Sequence, residues 1–149
     1  MQLQSILTPG RTFFGVPGSS KKRALENTAG YICNDISSMD DIELFNHLIA
    51  RERLGSTGLG HGIAIPHCRI KNCHTITGTL VKLKQPIDFD AIDGQPVDLM
   101  FVLLVPEQAQ DEHLQALAML AEKFNDADFC QRLRMAEDSE QLFSQAILN

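Results

Sequence analysis

The run RERLGSTGLGHGIAIPHCR, residues 51–69, passes from a helical pattern through a cluster of glycines into a short β-type segment. Arg51 and Arg53 fall in the last turn of a helix, where cations meet the negative end of the helix dipole, and Gly55 stops that helix. Gly55, Gly58, Gly60 and Gly62 free the backbone to take positive φ and to bring N–H groups onto an anion. Ile63 and Ile65 then alternate about Ala64 as a buried strand, and Pro66 removes a donor and fixes φ just before His67. His67 is thereby delivered at a strand end, aimed into a cleft. Two nucleotide motifs fail here. Gly55 to Gly60 has P-loop spacing, but His61 stands where that loop needs lysine, and the preceding pattern is helical; Ile63 occupies the place of the third glycine in a dinucleotide fingerprint.

Outward from this stretch, helices and strands alternate. Upstream, Asp40 with Glu43 three residues on is a capping-box signal, opening a helix whose buried stripe reads Ile42, Phe45, Leu48 and Ile49. Ser19 or Ser20 caps an earlier helix running to Asp35, with Leu25, Ala29, Ile32, Cys33 and Ile36 on one face. Before it lie a short segment at Gln4 to Leu7, stopped by Pro9, and a strand from Arg11 to Val16 closed by Pro17-Gly18. Downstream, Thr75 to Leu83 reads as a strand, and Pro86 and Asp93-Gly94 are turn signals around Ile87 to Phe89. Val97 to Val105 is almost wholly apolar, as in a central strand covered on both faces. Asp111 is expected to cap a helix to Phe124 with Leu114, Leu117, Ala118 and Ala121 inward, which puts His113 in its first turn. Two further helices are predicted, Ala127 to Met135 and Ser139 to Leu148, the second opened by Asp138 with Gln141. The expected fold is α/β: a mixed, mostly parallel β-sheet with helices on both faces, in a single domain over residues 1–149.

Composition narrows the function. A chain of 149 residues with 44% hydrophobic content suits one core. No apolar run reaches membrane-spanning length, and MQLQSILTPGRTFF lacks the basic and apolar regions of a signal peptide, so a soluble cytoplasmic protein without membrane insertion is expected. A net charge of −6 argues against a nucleic-acid surface and favours a basic protein partner. The four cysteines, at 33, 68, 73 and 130, form no CxxC pair and read as reduced thiols. One metal arrangement is open: Cys68, Cys73, His74 and His67 carry the donor types of a tetrahedral zinc site, although their spacing is not that of structural zinc pairs and adjacent His-Cys side chains diverge on an extended chain.

The chemistry centres on His67, Arg51 and His113. An imidazole of ordinary pKa, about 6.5, is largely neutral at pH 7, and its free nitrogen attacks phosphorus without a separate base. Phosphoryl transfer then needs positive charge around the moving group more than proton transfer. An arginine at a helix C-terminus, a histidine at a helix N-terminus and the glycine-loop N–H groups would supply it. No serine nucleophile elbow, acidic catalytic pair or HExxH run competes.

The run GSTGLGHGIAIPH, with ARERL upstream and DEHLQALAMLAEKF and RLRMAEDSEQLF downstream, resembles the fructose- and mannitol-type enzyme IIA domains of the bacterial phosphotransferase system, its nitrogen-regulatory branch most of all. The resemblance spans nearly the whole chain. It implies that His67 accepts a phosphoryl group, on its ε nitrogen, from a histidine-phosphorylated carrier similar to HPr, in a phosphotransferase-type reaction without a cofactor. It further implies that His113 matches the second active-site histidine and Arg51, sixteen residues before His67, the active-site arginine. Ser56, Thr57, Gly58, Gly60 and Gly62 then form the phosphate loop. Two positions depart from the family pattern: His61, where Asn or Glu is common, and Cys68, where Gly is usual. Three functions remain open on these grounds: a regulatory phosphoryl acceptor controlling partner proteins, the IIA component of a sugar permease passing the group to a IIB domain, and a non-enzymatic zinc-binding domain.

Overall fold

The alternation of helical and β-type segments builds a layered α/β architecture in the computed structural model, which describes residues 1–148. After 3-10 turns at Leu3–Ser5 and Pro9–Arg11, the elements are β1 (Thr12–Val16), α1 (Lys21–Asp35), α2 (Asp41–Leu54), β2 (Gly58–Gly60), β3 (Ile63–Ala64), β4 (His67–Ile70), β5 (Thr77–Ile87), β6 (Val97–Pro106), α3 (Asp111–Phe124), α4 (Ala127–Arg134) and α5 (Ser139–Ile147). The sheet runs β1-β5-β6-β3-β2, and β4 continues beside β6 beyond β3. Pairings β1–β5, β3–β6 and β4–β6 are parallel, whereas β5–β6 and β2–β3 are antiparallel. The mixed sheet with a mostly parallel set of pairings is the one expected.

Strand β6 shows why it is so apolar. Leu99, Phe101, Leu103 and Val105 pack with α3, α4 and α5 on one side, while Met100, Val102 and Leu104 pack with α1 and α2 on the other. Successive side chains of a strand alternate between faces, so a strand covered twice has no polar register. Helix caps follow the local chemistry at three of the expected places: Ser20 accepts from the Arg23 N–H, Asp40 from Glu43 and Asp138 from Gln141.

Several local expectations change. Helix α3 is entered from Gln110, which makes no side-chain cap, and not from Asp111. Its buried residues are Ala116, Leu120 and Phe124, with Leu117 partly buried; Leu114 is 58% exposed, and Ala118 and Ala121 also face water. Leu120 and Phe124 fill the space under β6, and Phe124 meets Phe129 of α4 edge-on at 5.3 Å. Helix α2 buries Leu44, Leu48 and Glu52, with Phe45 and Ile49 only partly covered and Ile42 68% exposed. Strand β5 also continues past the expected stop, through Pro86 to Ile87 opposite Val97.

The glycine run departs most from its expected loop form. Gly58–Gly60 is a strand, paired antiparallel to β3 with Gly60 opposite Ile63. His61 (φ 57°) and Gly62 (φ 82°) make the two-residue connection, the positive-φ pair that a tight hairpin twisted like its strands requires.

Candidate functional site

His67 opens β4 opposite Leu103, whose N–H donates to the Pro66 carbonyl at 2.9 Å. Its half-buried ring places Nδ1 2.8 Å from the Ile65 carbonyl oxygen. A carbonyl only accepts, so Nδ1 carries the proton and Nε2 the lone pair. Ile65 is held in turn: its N–H donates to the Thr57 carbonyl at 3.1 Å. The Thr57 N–H donates to Glu52 Oε1 at 3.1 Å, and the Thr57 hydroxyl donates to the same oxygen. Glu52, only 7% exposed, receives Lys21 Nζ on Oε2 at 3.1 Å. Lys21 also pairs with Asp90 at 3.3 Å and lies over the Phe89 ring, 4.9 Å from its centroid.

Burial is the main reason the His67 pKa lies below its ordinary 6.5; the charges of Arg51 and His113 lower it further, against the Ile65 carbonyl and Glu52, which raise it. The ring is thus biased towards the neutral, nucleophilic form, with two positive or ionisable neighbours close enough to act on it. Arg51 leaves the last turn of α2 and donates from Nη1 to the Gly55 carbonyl at 3.0 Å. His113 lies in the first turn of α3, one turn before Ala116 and Leu117, so the rotation that exposes Leu114 turns His113 inward. Its Nδ1 is buried with no hydrogen-bond partner among the described residues. Arg51, from the end of α2, and His113, from the start of α3, thus both act electrostatically on the His67 imidazole.

The family description "Phosphoenolpyruvate-dependent sugar phosphotransferase system, EIIA 2" matches residues 5–149. The chain belongs to this family. It is 50% identical over 143 residues to a nitrogen regulatory protein of Pseudomonas aeruginosa, covering 96% of this chain and 93% of that one. The crystal structure of nitrogen regulatory protein IIA-Ntr from Neisseria meningitidis superposes with a TM-score of 0.85 at 38% identity, over 95% of this chain and 97% of that one. The mannitol IIA of Escherichia coli shares the fold, with a TM-score of 0.76, but only 18% of the sequence, over 94% of this chain and 98% of that one.

In this EIIA 2 chain the glycine-rich segment has partners of its own. Besides Thr57, the Ser56 hydroxyl donates to the Phe89 carbonyl at 2.7 Å, and the Gly58 N–H donates to Ser56 Oγ at 3.0 Å. The His61 N–H donates to Asp93 Oδ2 at 2.8 Å, and Arg134 Nη2 donates to the His61 carbonyl at 2.7 Å. Arg134 also grips Asp98 with Nε and Nη2, at 2.9 and 2.8 Å. Several of the groups expected to meet a phosphate therefore hold the hairpin to the body of the protein.

The two departures from the family pattern separate. His61 is exposed on the hairpin turn. Cys68 is partly buried, packed against the core on the α1–α2 side, and burial pushes its thiol up to about 12. Of the other metal-type donors, Cys73 Sγ donates to the Thr75 carbonyl at 2.9 Å and His74 is exposed; among the described residues no group of three or more His, Cys, Asp or Glu side chains could hold a metal ion.

Sequence reasoning missed Glu52, Lys21, Asp98 and Arg134. Glu52 had a legible signal, because it continues the Leu44–Leu48 spacing by one more turn. A carboxylate on the apolar stripe of a helix needs a partner.

Proposed function

We propose that this protein is a regulatory phosphoryl acceptor in a phosphoenolpyruvate-dependent relay, charged on His67 by an HPr-type histidine phosphocarrier and controlling partner proteins in the cytoplasm. The observation that carries the proposal is the Nδ1–H of His67 donated to the Ile65 carbonyl, which leaves Nε2 as the lone-pair nitrogen. In the reaction, that lone pair forms a P–N bond as the P–N bond to the donor imidazole breaks, and the departing ring keeps the electron pair. Arg51 and His113 contact the phosphoryl oxygens during the transfer, Arg51 with its planar fork of donors. Ser56, Thr57, Gly58, Gly60 and Gly62 act mainly by shaping and holding the segment that delivers His67.

A regulatory output is favoured over a sugar permease because the likeness to nitrogen regulatory proteins reaches 50% identity over 96% of this chain, against 32% over 83% for a fructose-specific EIIA component of Haloferax volcanii. A phosphoryl group adds roughly −1.5 to −2 charges, so a partner docking over His67 will distinguish the two forms. The test is incubation with phosphoenolpyruvate, enzyme I and an HPr-type carrier, followed by intact mass. One phosphoryl group, labile in acid and stable in alkali, is expected on the wild type and none on His67→Ala; a phosphate retained by a folded His67→Ala refutes the assignment. Pull-downs with both forms then separate outputs: identical partners together with fast transfer to a sugar-specific IIB would establish transport.

A further inference from the structure

Glu52 occupies a position where burial argues for leucine. It continues the stripe of Leu44 and Leu48 on α2 and is 7% exposed. Taking a carboxylate out of water costs several kcal/mol, and a well-packed apolar side chain commonly does as well for stability. Its hydrogen bonds show what the charge accomplishes there. Oε1 receives both the N–H and the hydroxyl of Thr57, and Oε2 receives Lys21 Nζ. The Thr57 carbonyl receives the Ile65 N–H, and the Ile65 carbonyl receives His67 Nδ1–H. No link in this series is longer than 3.1 Å.

Such a series does two things at once. It limits how far Ile65 can swing its carbonyl away from the imidazole, because the N–H of the same residue, in the preceding peptide unit, is anchored to Thr57. It also anchors the start of the hairpin, since Thr57 immediately precedes β2. Removing the carboxylate would free Thr57, then Ile65, and finally the choice of tautomer at His67; an imidazole that loses its Nδ1 acceptor can carry its proton on either nitrogen. Lys21 reinforces the carboxylate from α1 and is itself steadied by Asp90 and the Phe89 ring.

We propose that Glu52 is a positioning residue of this site: acting through Thr57 and Ile65, it determines which imidazole nitrogen of His67 is nucleophilic. The consequence for phosphoryl transfer rests on His67 being the acceptor, but the tautomer claim does not, so the two can fail separately. The charges acting on the ring are those of Arg51, Glu52 and His113.

The test uses the full chain with 15N-labelled histidine, its His67 resonances assigned by their loss in His67→Ala, in wild type, Glu52→Gln, Glu52→Ala and Glu52→Leu. Wild type is expected to show the Nδ1–H tautomer. Glu52→Gln keeps an oxygen for Thr57 and should keep that tautomer, while the loss of negative charge lowers the pH at which the ring protonates. Glu52→Ala should lose the single tautomer and transfer phosphoryl groups on the order of 10²-fold more slowly, the effect of a nucleophile misplaced by about 1 Å. A folded Glu52→Ala that retains the Nδ1–H tautomer and the wild-type rate overturns the proposal. Should that variant not fold, Glu52→Leu carries the test, because it fills the same space on the buried stripe and offers Thr57 no acceptor; an unchanged tautomer and rate there overturn it equally. If wild-type protein shows the tautomer but accepts no phosphoryl group, the phosphorelay assignment fails and the positioning role is still judged by the spectra.

Discussion

Gly62→Ala should weaken this protein far more than an ordinary glycine substitution, and Gly94→Ala provides the control. Both glycines have positive φ, 82° at Gly62 and 71° at Gly94, a conformation that costs an L-residue about 1–2 kcal/mol. Their surroundings differ. A Cβ at Gly94 would meet nothing within 4 Å, whereas one at Gly62 would lie 2.6 Å from Arg134 Nη2 and 2.9 Å from Asp98 Oδ1. An arginine head normally moves aside easily, but this one is held by the two Asp98 contacts and the His61 carbonyl. Hydrogen bonds to charged groups are worth about 1.5–3 kcal/mol each, and partial exposure of the pair, 30% for Arg134 and 19% for Asp98, reduces what their displacement costs. The expected losses are therefore about 1–2 kcal/mol for Gly94→Ala and roughly 3 kcal/mol for Gly62→Ala. With a urea m-value of about 2 kcal/mol/M, the Gly62→Ala midpoint falls by roughly 1.5 M. Adding Arg134→Gln to Gly62→Ala should cost less than the sum of the two single changes, since both disturb the same clamp. Equal midpoints for Gly62→Ala and Gly94→Ala would show that the Arg134–Asp98 clamp does not stabilise the hairpin.

Arg51→Lys should slow phosphoryl transfer in rapid-quench measurements, because a point charge replaces a planar bidentate donor, and His113→Ala should slow it while leaving the protein phosphorylatable; removing one such donor in other enzymes costs about 2.7–4 kcal/mol, and wild-type rates in both variants would exclude them from the site. The depressed His67 pKa carries a pH signature. As pH falls through 6.5, the unfolded chain takes up a proton at this residue before the folded one does, so its contribution destabilises the fold increasingly until the lower folded pKa is passed. Urea titrations across that window should show a shallower loss for His67→Asn than for wild type. The thiols of Cys33, Cys68, Cys73 and Cys130 are all raised by burial, so native protein should react slowly with a thiol reagent at neutral pH and release four reactive thiols when denatured; fast labelling of Cys68 in the native state would contradict its packing.

Much of this molecule was legible residue by residue. The Asp40–Glu43 and Asp138–Gln141 pairs announce helix starts because capping is settled within one turn, and Val97 to Val105 announces a doubly covered strand because its apolar run lacks alternation. Pro66 before His67 and the family resemblance singled out the candidate nucleophile. The strands β2 and β4 were not legible: three or four residues carry no usable period, and they exist because β3 and β6 offer partners brought near by the folded chain. Helix rotation was equally non-local. Whether Leu114 or Ala116 faces inward depends on the space under β6 and beside Phe129, and that choice also sets how far His113 is buried. Glu52 makes the distinction sharpest. Its charge argues for water, while the stripe it continues argues for the core. The conflict is resolved only when folding brings Thr57 and Lys21 to its two oxygens, because a carboxylate is stable away from water only where such donors already wait for it.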